Sequence, residues 1–429
     1  MFKHFGLNAL KYIQKIANLC LQKSRWGWDK AEVIFLRKPG KNTYSKAGSY
    51  RPISISSYIG KLIEDIMAER IKNFMTKIHL YDPDQEGFFQ GRNTVRYLNR
   101  LVTGIKSDLA KKLTTIGLFI DFEKAFDSVW KQGMIVKLYK LGIKGKILHL
   151  INDFLTNRKV IINVNSVKGD LRNSSDVGLP QGSVLSPILF RIYLMDFLND
   201  IDRNTIDLLK FADDGTIKVS GENTKVCLEK LQLVFDSIES WVKKWRMIVN
   251  CDPDKTELIC FGTAENNISL IPDTFELCNK TIRRVKQTKV LGVILDENLS
   301  FKEHGKMVLQ KLNYKWSQIC KYSNSQWGFN QRVMVQLIKT IFHSTIFYAG
   351  IVWINQKSLD EITSLYYKII KSAIGAVFNV RKSIIEVILG IPPLELINQT
   401  NIIKHYLKIL LVDSPVDRMK ELILKELAN

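Results

Sequence analysis

The chain has 429 residues, of which 46% are hydrophobic, 10% aromatic and 24% charged. These globular values exclude a disordered tail, a collagen-like rod and a small disulfide-stapled scaffold, and the length suggests two or three lobes around a large core. Lys and Arg number 63 against 42 Asp and Glu, a net charge of +21 that points to a polyanionic partner, nucleic acid ahead of an anionic membrane.

Residues 7–23 alternate apolar and basic side chains at helical spacing, and Lys11 and Lys15 interrupt the apolar run, so this is no secretory signal. Two extended segments, 31–36 and 50–55, flank a basic loop containing Pro39-Gly40 and predict a hairpin with positive charge at its tip. Residues 57–79 predict a helix with Ile59, Leu62, Ile63, Ile66, Met67 and Ile71 on one face. Residues 114–121 are a short apolar run ending in an acid: a buried strand that delivers a carboxylate at its C-terminal end. Helical patterns recur over 131–156 and 187–199. Residues 208–219 predict strand, turn, strand, with Asp214-Gly215 as the turn. An amphipathic helix over 225–246 and a strand over 256–262 follow, and beyond residue 300 the pattern is mostly helical and basic. The longest uncharged apolar stretch, between Lys339 and Lys357, contains His343 and Asn355. It falls short of the roughly 20 residues a membrane span needs, so it predicts a buried helix or helix pair and no membrane partner.

Charge is unevenly spread. Residues 1–120 carry 21 basic and 9 acidic side chains, residues 121–300 carry 25 and 24, and residues 301–429 carry 17 and 9. Two basic flanks therefore enclose a neutral middle. The six cysteines form no Cys-x-x-Cys pair and no Cys/His cluster, which argues for free thiols in a reducing compartment and against zinc.

Three carboxylates stand where carboxylates are costly. Asp121 ends an apolar strand, and Asp213 and Asp214 are adjacent in a tight hairpin. Like charges so close repel unless a cation neutralises them. If the strands pair, the three acids assemble a site suited to two Mg²⁺ ions, with Mn²⁺ as a substitute, the recurrent device for in-line phosphoryl transfer.

Phe119-Ile-Asp-Phe-Glu-Lys-Ala-Phe-Asp127, Gly178-Leu-Pro-Gln-Gly-Ser-Val-Leu-Ser-Pro187 and Phe211-Ala-Asp-Asp214 occur in that order. They resemble motifs A, B and C of reverse transcriptases, in the wording of non-LTR, jockey-like retrotransposons. Tyr50-Arg-Pro-Ile-Ser54, Asp254-Lys-Thr-Glu257 and Val290-Leu-Gly-Val-Ile-Leu-Asp296 extend the resemblance over residues 25–305. It implies an α+β right-hand polymerase with fingers, a palm built on an antiparallel sheet, and a helical thumb. On that pattern residues 1–120 are mainly fingers and the first palm helix, 121–300 the palm and palm–thumb junction, and 301–429 the basic thumb and post-thumb region.

The resemblance also assigns roles. Asp121, Asp213 and Asp214 match the metal-binding and catalytic acids, and Lys255 a general acid for the leaving pyrophosphate. Phe126, five residues beyond Asp121, matches the ring that blocks a ribose 2′-hydroxyl. Gln181 and Gly182 match the segment framing the incoming nucleotide, and Arg51, with Lys38 and Lys41 as helpers, the triphosphate contact. The implied activity is extension of a DNA primer 3′-hydroxyl with dNTPs on an RNA template, in the nucleus or cytoplasm rather than outside the cell. The residues ahead of the motifs are too few for the endonuclease such elements usually encode, so that activity is expected in trans or from a longer polyprotein. The alternative is a catalytically idle, transposon-derived nucleic-acid-binding protein. Phe126 argues against an RNA product. Trp316, Trp327, Phe329 and Trp353 are read as core rather than as base-stacking side chains.

Overall fold

The computed structural model describes residues 5–40, 43–80, 82–89, 91–262, 270–323, 328–377 and 379–411. Helix α1 (Leu7–Lys23) precedes the hairpin β1 (Lys30–Arg37) and β2 (Tyr50–Ile55), then α2 (Tyr58–Lys77) and α3 (Thr94–Ala110). The middle of the chain runs β3 (Thr114–Ile120), α4 (Ala125–Ser128), α5 (Lys131–Lys140), α6 (Lys146–Thr156), β4 (Lys159–Val164), β5 (Val167–Asn173) and α7 (Ser186–Tyr193). It continues with β6 (Ile206–Phe211), β7 (Asp214–Gly221), α8 (Thr224–Trp245) and β8 (Glu257–Phe261). Two hairpins follow, β9 (Thr274–Leu277) with β10 (Lys280–Arg284), and β11 (Gln287–Val290) with β12 (Val293–Asp296). The last part is helical: α9 (Lys302–Ile319), α10 (Gln331–Ile346), α11 (Gly350–Trp353), α12 (Gln356–Ile374), α13 (Lys382–Leu389) and α14 (Leu394–Leu411).

The site-bearing sheet has strand order β6-β7-β3-β8-β10-β9. Every residue of β3 is buried, because both faces of the sheet are covered. Ile116, Leu118 and Ile120 point into a core shared with Val234 and Ile238 of α8 and with Phe190 of α7. The intervening Phe119 points the other way, into a core with Leu98 and Leu101 of α3 and Ile338 and Phe342 of α10. The two-residue period of a strand thus splits one apolar run between two cores.

A second sheet, β2-β1-β4-β5, joins segments far apart in sequence. β1 pairs antiparallel with β2 as expected, and parallel with β4, Val33 standing opposite Ile162. α3 and the hairpins β4–β5 and β9–β10 have no counterpart among the expected elements. The 131–156 pattern is two helices, broken where Gly142 and Gly145 take φ of +92° and +67°. The apolar stretch between Lys339 and Lys357 is a helix pair, with Phe342, Ile346 and Trp353 fully buried. Trp316 is half-buried, Phe329 is exposed beside Tyr322, and Trp327 lies outside the described residues. Among the described residues no helix is long and apolar enough to cross a membrane, and all six cysteines are free.

Two expectations are corrected: Phe329, read as core, is exposed, and the hairpin turn lies elsewhere than Asp214-Gly215. Phe211 stands opposite Asp214 and Lys210 opposite Gly215, so the turn residues are Ala212 and Asp213, and Asp214-Gly215 opens β7. Ala212 holds the left-handed φ of 56° that a glycine would ordinarily supply. The register is fixed by β3, where Ile120 faces Gly215, rather than by the local Asp-Gly signal.

Replacing Leu118 by Ala at the centre of β3 should cost about 2–5 kcal/mol, read as a lower urea midpoint. Val167→Ala on the exposed strand β5 should stay within about 0.5 kcal/mol of wild type.

Candidate active site

Asp121 follows the last residue of β3, and the β6–β7 turn places Asp213 and Asp214 beside it. Asp121 is held on several sides. Its Oδ2 accepts from the Asn250 amide at 3.0 Å and lies 3.1 Å from Lys255 Nζ. Its backbone N–H donates to Thr256 Oγ1, and its carbonyl accepts from Asn250 N–H. Burial raises the Asp213 carboxyl above its ordinary range; the Asp121 charge adds to this, while Lys255 and Arg51 oppose it. Asp214 opens onto the cleft, yet the protein around it, and then the Asp213 and Asp121 charges, push its carboxyl up to about 7. Among the described residues no three Asp, Glu, His or Cys side chains are arranged as a ready-made metal cage. Lys255 and Asn250 both engage Asp121 Oδ2. The donor chemistry nevertheless fits a hard divalent cation: three carboxylates side by side, of which Asp213 and Asp214 are raised in pKa and would be relieved by positive charge.

Opposite the acids, Phe126 stacks on Phe190 at a centroid distance of 4.4 Å and meets the edge of Phe88 at 6.3 Å. The loop carrying Gln181 and Gly182 is fastened to the same segment. Leu179 N–H donates to Phe126 O at 2.8 Å, and the Gln181 amide donates to Asp127 Oδ1 at 2.9 Å. Ser54 N–H of β2 donates to Gln181 O at 2.7 Å. Gly182 has φ of +103°, and a Cβ there would fall 2.7 Å from Ser54 O, so no other residue permits this approach.

Lys38 and Arg51 come from the β1–β2 hairpin and face the acids across the cleft. The cavity is about 890 Å³ and is lined by Lys38, Arg51, Asp121, Phe126, Gln181, Gly182, Asp213, Asp214 and Lys255. Lys41 lies outside the described residues.

Three contributors were not anticipated. Asn250 braces Asp121 from two directions. Gln85 is fully buried; its Oε1 accepts from the N–H of Ala212 and of Gly87, and its Nε2 approaches Ala212 O at 3.4 Å. The loop around it is pinned by buried ion pairs, Asp82 with Lys210, Glu86 with Arg96, and Asp84 with Arg100. The repeated acids over 82–86, followed by Arg92, Arg96 and Arg100 at four-residue spacing, are the signal in the sequence for that clamp. Glu64, fully buried on α2, accepts from Ser183 Oγ and from the N–H of Val184 and Leu185. Its place on the inner face of an amphipathic helix is its one mark in the sequence.

The profile of the family described as reverse transcriptase (RNA-dependent DNA polymerase) matches residues 36–295, and the chain belongs to that family. Its α+β architecture is the right-hand polymerase fold. The chain is 29% identical over 348 residues to the "Probable RNA-directed DNA polymerase from transposon BS" of Drosophila melanogaster, covering 78% of this chain and 36% of the relative. It is 26% identical over 395 residues to the "RNA-directed DNA polymerase from mobile element jockey" of the same species, covering 90% of this chain and 42% of the relative. The chain thus spans about two fifths of the length of these curated relatives. An apo telomerase structure from Candida tropicalis overlaps loosely, with 10% identity, a TM-score of 0.43, and coverage of 86% of this chain and 67% of that one.

The raised Asp214 pKa has a consequence for stability. The folded state holds this proton up to about 7, whereas the unfolded chain releases it near 3.8, so stability falls as pH rises between those values. With divalent cations chelated, Asp214→Asn should therefore gain stability relative to wild type as pH rises from 5 to 7, and the difference should level off above about 8. Parallel melting curves of the two proteins give the measurement. A difference that does not change with pH would show that Asp214 ionises freely.

Proposed function

We propose that this chain is the polymerase part of a non-LTR, jockey-like retrotransposon protein, an RNA-directed DNA polymerase that extends a DNA primer with dNTPs on an RNA template. The observation that carries the reading is that nine residues singled out from five separate sequence segments line one cleft. In the reaction the primer 3′-oxygen bonds to the α-phosphorus of the dNTP, the bond to the bridging oxygen breaks, and pyrophosphate leaves.

Asp121, Asp213 and Asp214 are the residues that would hold Mg²⁺, with Mn²⁺ as a substitute. Two such ions, when bound, supply positive charge that acidifies the 3′-hydroxyl and offsets charge on the phosphates. Asn250 orients the Asp121 carboxylate. Arg51 presents a planar fork to phosphate oxygens from the hairpin, with Lys38 beside it. Lys255 carries a proton at Nζ that it can pass to the leaving pyrophosphate. Gln181 and Gly182 form the floor under the nucleotide. Phe126, braced between Phe190 and Phe88, occupies the space a 2′-hydroxyl would need. The basic segments on either side of the neutral middle grip the nucleic-acid backbone, and that grip should weaken with salt. We place the reaction inside the cell, where template and dNTPs are found. The endonuclease that exposes a primer end acts in trans or as part of a longer polyprotein.

Primer extension on an RNA template with Mg²⁺ and dNTPs tests this directly. Asp121→Asn and Asp213→Asn should each lower the rate by on the order of 10² or more, because each removes a negative charge that holds a cation. Full activity in either variant would overturn the assignment of the acids. No extension by the wild-type chain across a range of salt and metal would favour the idle nucleic-acid binder.

Sugar selection gives a second test. Burying a 2′-hydroxyl against a phenyl ring without a partner costs about 1–3 kcal/mol before any steric overlap is counted. Phe126→Val should lower the ratio of kcat/KM for dNTP over rNTP by on the order of ten- to a hundredfold while dNTP use is largely kept. An unchanged ratio would make Phe126 a packing residue only.

A further inference from the structure

Glu64 is a carboxylate with no exposure, on a helix that contributes nothing to the cleft lining. One of its oxygens, Oε2, collects three donors from the end of the nucleotide loop. These are the Ser183 hydroxyl, Val184 N–H at 2.7 Å and Leu185 N–H at 3.4 Å. A buried acid so placed is costly to keep unless its hydrogen bonds do something a neutral residue cannot. Here it faces the first backbone N–H groups ahead of α7, where negative charge is favoured.

What Glu64 grips is continuous with the sugar-selecting ring. Ser183 Oγ in turn accepts from Leu185 and Ser186 N–H, and Ser186 Oγ donates to Pro180 O at 2.9 Å. Pro180 is flanked by Leu179, bonded to Phe126 O, and by Gln181, bonded to Asp127. Strand β2 holds the same loop through Ser54. The loop is therefore suspended from three supports, the Phe126–Asp127 segment, Ser54 and Glu64, and Glu64 alone among them reaches it from a helix that lines no part of the cleft.

We propose that Glu64 is a positioning residue for the incoming nucleotide: from α2 it sets the height of the Pro180–Ser183 loop, and through Leu179 and Gln181 the seat of Phe126. The inference rests on the reading of the cleft as a dNTP site. It predicts that losing the Glu64 tether changes how well a nucleotide is bound and which sugar is accepted, more than how fast a bound nucleotide reacts. A residue that only stabilised the fold would lower yield or melting temperature and leave both properties alone.

The experiment is single-nucleotide incorporation on one RNA template and DNA primer, with a dNTP and its matching rNTP. The proteins are wild type, Glu64→Ala, Glu64→Gln and Ser183→Ala. KM and the dNTP-over-rNTP ratio do not depend on how much of each preparation is folded, so partial misfolding does not blur the result. Glu64→Ala should raise the dNTP KM by on the order of tenfold and lower the sugar ratio, with kcat per active site changed far less. Glu64→Gln keeps an acceptor oxygen for the two backbone N–H groups and should recover most of the loss. Ser183→Ala should move both readouts in the same direction by a smaller factor. Wild-type KM and sugar ratio in Glu64→Ala would overturn the inference. If that variant gives no soluble protein, unchanged values in Ser183→Ala would overturn it instead. Wild-type extension with unmoved KM in the variants removes this inference alone, whereas absence of wild-type extension removes the polymerase reading and this inference with it.

Discussion

Three carboxylates crowd the end of a strand that is buried along its whole length, and holding them there against their own repulsion is the constraint on which the site depends. Two unit charges about 4 Å apart interact by roughly 4 kcal/mol at an effective dielectric constant near 20. No loop on its own would keep such groups together. The sheet does so by pairing Ile120 with Gly215, so that the ends of β3 and the β6–β7 hairpin coincide. Positive charge is supplied at the margin, by Lys255 on Asp121 and by Arg51 across the cleft, and it offsets the burial that drives Asp213 upward only in part. A site balanced in this way is suited to receive further positive charge.

The same constraint explains the placement of polar groups that have nothing to do with solvation. Several charges of the middle of the chain are matched by partners in the N-terminal part. Lys210, on the hairpin that carries the acids, is buried and paired with Asp82, while Arg100 bridges Asp84 and Asp207. Removing one partner of a buried pair is far more costly than the pair is worth, so such pairs act as locks. They fix the loop over 82–89 along the edge of β6, where Glu86 N–H donates to Lys210 O and Lys210 N–H to Asp84 O. The excess of positive charge is left to the two flanks.

The parts legible in the sequence are those whose signal is local. β3 reads as a strand because it is a short run without charge, apolar from Ile116 onward, and α8 reads as a helix because Leu231, Val234, Ile238 and Trp241 recur on one face. The positions of Asp121, Phe126, Gln181, Asp213 and Asp214 follow from short ordered segments, and the structure places them around one cavity. What escapes is long-range. α3 buries Arg96, Asn99 and Arg100, which look like a solvated face until their acidic partners are known. β5 is exposed along its length and shows no alternation, and its partner β4 is joined to β1 across some 130 residues. Gln85, Glu64 and Asn250 bond chiefly to backbone atoms or to one distant carboxylate, and such contacts leave no pattern at their own positions.

The turn at Ala212 shows how local preference yields to these long-range contacts. A β-carbon in the left-handed region costs about 1–3 kcal/mol, and glycine would avoid that cost. Glycine would also enlarge the set of conformations open to the residue just before Asp213. Gln85 bonds to Ala212 at both N–H and C=O, and each such bond is worth about 0.5–1.5 kcal/mol net, enough in sum to offset the strain. Gly87 sits so close beneath that a Cβ on it would lie 2.5 Å from Ala212 N. The small residue is thus in the supporting loop and the restricted one in the turn. That arrangement gives the carboxylates a backbone with few alternatives, as their mutual repulsion requires.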